Sequence, residues 1–250
     1  MRYFVCADPH GFYSIMRRAL EDAGFNPETK GHRLIICGDI FDRGDEPIEM
    51  YHYLKFLGDK FIFVKGNHED LFEECLREYR VFGRVGLHHE HNGTLATVKT
   101  FEEAGLSDEV RDWIFHKAVN YYETKNYVFV HGWLPGKGLD DYPESTWHYL
   151  ESWREANERT WRNVRWRNGM SAWSNDNHGE SLKKTIVCGH WHCGYGNIVF
   201  HKEHDLFDNF KMQEVLSSDH PFVDNNIIAL DTCTVYNRKV NVIEIKDALK

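Results

Sequence analysis

Residues 34–46 read LIICGDIFDRGDE. The apolar run Leu34-Ile35-Ile36 passes through Cys37 and Gly38 into four carboxylates, Asp39, Asp42, Asp45 and Glu46, with Arg43 among them. A near-continuous apolar run closed by glycine reads as a strand covered on both faces. Glycines flanking a tight strand-to-helix turn also let carboxylates and backbone approach a ligand closely. Taken alone, the stretch is balanced between such a site and an ordinary charged turn.

The same pattern recurs along the chain. Apolar runs stand at 3–6, 34–37, 61–64, 127–130, 185–188 and 227–230, and a last one, 240–245, alternates as an edge or one-sided strand does. Amphipathic segments at 14–23 and 47–57 have the length of crossover helices, so the opening follows a β-α-β-α-β rhythm. Helical text dominates from 70 to 113, and Thr94 is placed to cap a helix over 95–104. These features predict an α/β fold, one domain over residues 1–250, with a helical cover. From Trp133 to Trp173 the chain carries six of its eight tryptophans, interleaved with Arg154, Arg159, Arg162, Arg165 and Arg167. Glutamates dilute the charge of that stretch, so it is read as a cover whose tryptophans pack inward and not as a base-stacking platform.

Composition narrows the function. At 250 residues, 42% hydrophobic and 28% charged, the chain resembles an ordinary globular protein, and no apolar run approaches the roughly 20 residues of a membrane helix. MRYFVCADPH enters a strand pattern at once with no secretory leader, which predicts a cytoplasmic location. A net charge of −9 argues against nucleic acid and anionic membrane as partners, and an anionic substrate would need local positive charge. Six cysteines without a CxxC pair predict buried thiols rather than disulfides or a thiolate site.

The decisive regularity lies just past the carboxyl end of each strand: Asp8 and His10, Asp39 and Asp42, Asn67 and His68, His131, then His190 and His192. Each motif has a plain reading of its own. DPHG is a common Asp-Pro turn, GNHE an N-cap by Asn67, VHG a structural histidine. Independent turns would not deliver this series in strand-terminal positions, and ligands bind outside the carboxyl ends of α/β strands. Together the residues form an oxygen and nitrogen donor set without thiolate, suited to Mn, Fe or Zn in a two-metal hydrolytic centre.

The motif order DPHG, GDIFDRG, GNHE, VHG and GHWH resembles the calcineurin-like metallophosphoesterase superfamily. The Asp-Arg-Gly and Asn-His-Glu forms resemble its phosphoprotein phosphatase branch, which includes bacterial and phage serine/threonine phosphatases and symmetrical dinucleoside tetraphosphatases. NGTLATVKTF and IIALDTCTVYNRKVNVIEI extend the resemblance, with Cys233 where glycine often follows Asp-Thr. It implies a four-layer αββα sandwich holding two divalent or trivalent metal ions. Asp8, His10 and Asp39 would hold the first ion, Asp39 bridging to a second held by Asn67, His131 and His190. GHWH resembles the wider superfamily, which adds His192 as a ligand. A bridging water would attack phosphorus in line, His68 would protonate the leaving oxygen, Asp42 would orient His68, and Arg43 would clamp phosphate beside Asn67. The branch uses a second arginine from a later segment; Arg162, Arg165 and Arg167 compete, and Arg165 is taken. The expected activity is hydrolysis of phosphate monoesters, a serine/threonine protein phosphatase being one form. Alternatives are a dinucleoside tetraphosphatase or phosphodiesterase, and an inactive metal-binding scaffold. The substrate would be a phosphoprotein, a small phosphoester or a nucleotide.

Overall fold

The computed structural model describes residues 1–136, 152–201 and 216–248; Trp147, within the Trp/Arg stretch, lies outside them. Strands β1 (Arg2–Cys6), β2 (His32–Cys37) and β3 (Phe61–Val64) run parallel, with Val5 beside Ile35 and Ile35 beside Ile62. The short strand β4 (Ala118–Val119) extends this sheet parallel to β3. A second sheet contains β5 (Tyr122–Glu123), β6 (Tyr127–Phe129), β7 (Thr185–Cys188), β8 (Phe222–Asp224) and β9 (Ile227–Ala229), of which β6, β7 and β9 are parallel. The alternating last run becomes β10 (Ile243–Lys246), an antiparallel edge beside β1. The two sheets have the orders β10-β1-β2-β3-β4 and β5-β6-β7-β9-β8.

Period-two alternation explains why the central runs carry no polar face. Tyr3, Val5, Ile35, Cys37 and Val64 point to one side of the first sheet and meet Phe129, Val187 and Leu230 of the second. Their neighbours Phe4, Cys6, Leu34, Ile36, Phe61 and Phe63 point the other way, under helices. Those helices are α1 (Tyr13–Asp22), α2 (Pro47–Leu57), α3 (Asn67–Phe82), α4 (Leu87–His91), α5 (Thr94–Glu103) and α6 (Ser107–Lys117). Over the outer face of the second sheet lie α7 (Glu158–Val164), α8 (Gly169–Asn175) and α9 (Cys193–Val199). Trp161, Trp173 and Met170 fill that layer against Val128, Ile186 and Cys188. The four-layer αββα arrangement is therefore present.

Asn157 and Asn168 cap α7 and α8 by accepting from backbone N–H groups of their first turns. Trp153, Trp161 and Trp173 point inward as expected, whereas Trp166 is 45% exposed. All six cysteines are free and buried. No helix among the described residues is long and apolar enough to cross a membrane.

Candidate metal centre

The carboxyl ends of β1, β2, β3, β6 and β7 deliver Asp8 and His10, Asp39, Asn67 and His68, His131, and His190 into one cluster, buried except for half-buried His190. Asp39 lies at its middle. Its Oδ1 is 3.3 Å from His131 Nε2, and its Oδ2 is 3.9 Å from His10 Nε2 and 3.8 Å from His68 Nε2. Asn67 Oδ1 is 2.7 Å from His131 Nε2, and both oxygens of Asp8 accept from the backbone N–H of His190, at 3.0 and 3.2 Å. Two groups could each hold an ion, His10 with Asp39 and His68, and Asp39 with His131 and His190; the donor atoms of each lie within 4.8 Å of one another. Asp39 belongs to both, as a bridging carboxylate must. His131 Nδ1 donates to the carbonyl of Cys37 at 2.8 Å, which turns the lone pair of Nε2 toward Asp39.

The loops reach this geometry through unusual backbone. Asp8, His10, Asp39 and His190 have φ of 51°, 48°, 56° and 67°, the left-handed region that non-glycine residues seldom occupy. Each such residue costs of order 1–2 kcal/mol, and such strain concentrates at functional sites. Asp8 and His10 thus reach one cluster by curling, not by extended i, i+2 alternation. The flanking glycines are steric requirements: a Cβ on Gly66 would collide with Asp39 Oδ1, and one on Gly189 with Asp8 Oδ2.

Burial works to raise the Asp39 carboxyl, but His131, His68 and His10 outweigh it and hold Asp39 well below the usual carboxylate range. Burial, with Asp231 and Asp39 close by, pushes Asp8 well up. His68 and His131 rise despite burial because Asp39 faces both. His10 is pushed well down by burial, then by His68 and Arg43, and His190 falls to about 3 through burial and His131. Protons and metal ions compete for these same atoms.

Beside the cluster, His68 Nδ1 meets Asp42 Oδ2 at 2.6 Å, and the Thr94 hydroxyl donates to the same oxygen at 2.6 Å. Gly93, at φ 78°, occupies the N-cap position of α5, so Thr94 spends its hydroxyl on Asp42 instead of the helix end. Arg43 reaches His10 Nε2 at 2.9 Å and His68 Nε2 at 3.2 Å, between the two imidazoles.

One expected residue, Arg165, is engaged elsewhere. Arg165 is 2% exposed, and its guanidinium donates to Asp70 at 2.6 Å, Glu158 at 2.7 Å and Asn120, so its donors tie α7 to α3 and are not offered to phosphate. His192, like Asp8, belongs to neither three-residue group, and its Nε2 lies 3.7 Å from Asp231 Oδ2.

Three contributors lie outside the expected site residues. Buried Glu69 accepts from the backbone N–H of Gly66, Asp39 and Ile40 at 2.7, 3.1 and 2.9 Å, stitching the loops after β2 and β3 together. Burial and Asp39 push its carboxyl up to about 7. Buried Asp231 comes after β9 by the two-residue offset seen for Asp8 and Asp39 after their strands, so the 227–230 run does point to it. Thr94 is the third; a second hydroxyl, Thr234 Oγ1, holds the Asp8 carbonyl at 2.9 Å. Cys233, at φ 58°, takes the left-handed turn for which glycine is favoured.

The donor set fits cations: largely buried imidazole and oxygen donors without sulfur converge there, and His10 Nδ1 is buried with no hydrogen-bond partner. Residues 1–220 match the family described as calcineurin-like phosphoesterase. The chain belongs to the calcineurin-like phosphoesterase family. Similar curated proteins include the symmetrical bis(5'-nucleosyl)-tetraphosphatases of Marinomonas sp. (30% identical over 136 residues, 54% of this chain and 45% of that one) and Aromatoleum aromaticum (31% over 137 residues, 54% and 46%). The matched region spans just under half the length of these relatives. Among solved structures, the cold-active protein-tyrosine phosphatase of a Shewanella sp. aligns with a TM-score of 0.51 at 15% identity, over 98% of this chain and 75% of that one. That likeness carries the fold alone.

Proposed function

We propose that the chain hydrolyses phosphate monoesters at the Asp39 cluster, using two metal ions held by Asp8, His10, Asp39, Asn67, His131 and His190. The observation that carries this reading is Asp39, shared by two three-residue donor groups with the His68–Asp42 pair alongside. Two bound cations supply Lewis-acid withdrawal of charge from the phosphoryl group and acidify water at neutral pH. The remaining tasks fall to the chain. Arg43 turns its guanidinium from the imidazoles to phosphate oxygens, a charge-assisted contact. His68, as an imidazolium, gives its Nε2 proton to the departing alkoxide and is left neutral with its proton on Nδ1, and Asp42, accepting from Nδ1, favours the charged ring and fixes its orientation. Thr94 fixes Asp42 in turn.

His68→Ala is expected to lower kcat on an alkyl phosphate by about 10²- to 10⁴-fold, the usual worth of general acid help. On an aryl phosphate with an acidic leaving group the loss shrinks, because that oxygen departs without a proton. Equal losses on both substrates would remove His68 from the acid role.

A specific observation favours nucleotide substrates as a second reading. Trp166 and Trp191 are 45% and 43% exposed, Trp166 stands edge-on to His190 at 5.8 Å, and Trp191 is the next residue along the chain. Exposed indoles at these two positions could stack a base, and the similar tetraphosphatases are named for dinucleotides. Base–aromatic stacking is worth about 1–3 kcal/mol per base. Trp166→Ala and Trp191→Ala are therefore expected to raise KM for a dinucleoside tetraphosphate by roughly tenfold or more while leaving that for a small alkyl phosphate unmoved. Parallel shifts on both substrates would count against base stacking.

A further inference from the structure

On the helical cover, the sequence LHHEH forms the five-residue helix α4, which lies beside α3. His89 is wholly buried, yet neither of its ring nitrogens has a hydrogen-bond partner. A buried polar atom left without a partner costs about 1–3 kcal/mol, so two such atoms in one ring require an explanation. The surroundings supply one. Donor atoms of Glu74, His88 and His89 lie within 4.8 Å of one another, and Glu78, one turn beyond Glu74 on α3, brings Oε2 to 3.7 Å from His89 Nε2.

We propose that Glu74, Glu78, His88 and His89 form a further cation site, for zinc or a similar borderline divalent ion, which clamps α4 to α3. Two imidazoles and two carboxylates are a usual donor set for zinc, with bonds of about 2.0–2.2 Å in tetrahedral array. Closing the cluster to that spacing moves exposed His88 and half-buried Glu74, while buried His89 stays in place. Burial and the neighbouring His88 hold the His89 imidazolium below its ordinary pKa, which keeps the ring neutral and available to a metal. Glu74 also pairs with Arg162, but that contact is partly exposed and worth little, so a cation displaces it cheaply. Glu78 is positioned by the backbone N–H of Gly86, at 3.0 Å.

The site shares no ligand with the Asp39 cluster, and it bears on that cluster through the chain. Helix α4 runs directly into Asn92, whose Oδ1 accepts from Arg43 at 3.4 Å, and into Thr94, which holds Asp42. A five-residue helix has little stability of its own, and a cation that fixes it fixes the segment carrying both contacts.

The test is a zinc titration of the metal-free full chain, reading bound ions per chain and thermal stability, for wild type, His88→Ala and Glu74→Gln. Both substitutions lie at accessible positions and leave the buried core intact. Each is expected to bind one ion per chain fewer than wild type and to lose part of the zinc-induced rise in Tm. In an Asp39→Asn background the zinc that remains should disappear on adding His88→Ala, which separates this site from the Asp39 cluster whatever that cluster binds. Unchanged ion counts and an unchanged rise in Tm in both single variants would overturn the proposal.

Discussion

Asp39→Asn is expected to leave a folded chain whose phosphatase activity falls by three orders of magnitude or more. The carboxylate is the one group common to both three-residue donor groups, so a neutral amide there weakens two ion sites at once. The Lewis-acid contribution of such ions is worth several kcal/mol, and each 1.36 kcal/mol is tenfold in rate. The substitution is nearly isosteric, and Asn Oδ1 still accepts from the backbone N–H of His68, as Asp39 Oδ1 does at 3.0 Å. Circular dichroism of the metal-free variant should stay close to wild type, with Tm lowered by the lost attraction between Asp39 and the three histidines, while kcat/KM collapses. A variant that keeps a tenth or more of the wild-type rate would show that the ions, if bound, are not shared through this residue.

Arg165→Ala should behave in the opposite way. It removes the cation that neutralises Asp70 inside the fold, where Arg165 is 2% exposed and Asp70 is 6% exposed. Breaking a buried pair by deleting one partner costs about 3–5 kcal/mol, because the other charge is left without compensation. Urea unfolding should register a loss of that size, while kcat/KM per folded molecule stays within a few-fold of wild type. Lys65 Nζ, 2.6 Å from Asp70 Oδ1, gives some relief and places the expectation at the lower end of the range. A large fall in kcat/KM at unchanged stability would return Arg165 to the phosphate.

The contrast between Asp39 and Arg165 shows how far the site is legible in the sequence. Strand-terminal residues are readable because a buried parallel strand fixes where its next residues emerge, so the positions of Asp8, Asp39, His131 and His190 come from the runs before them. Asp231 obeys the same geometry and is readable with the others. Arg165 is not: which arginine of a helical cover turns toward a site depends on how α7 settles on α3, and three candidates stand within six residues. Glu69 and Thr94 carry ordinary helix-start signals, and only tertiary contact reveals that Glu69 serves three backbone donors and Thr94 serves Asp42. The split of the strands into two sheets is carried by the family resemblance and not by the periodicity, because a strand buried on both faces reads alike under a helix or under a second sheet.

The most direct measurement is hydrolysis of a simple phosphomonoester by protein stripped of metal and then supplied separately with Mn, Zn, Fe or Mg, in wild type and Asp39→Asn. Activity should be absent from the stripped protein, return with at least one of these metals in wild type, and stay absent from Asp39→Asn under every condition. Full turnover by the stripped protein, or equal restoration in Asp39→Asn, would contradict a metal-dependent phosphatase built on Asp39.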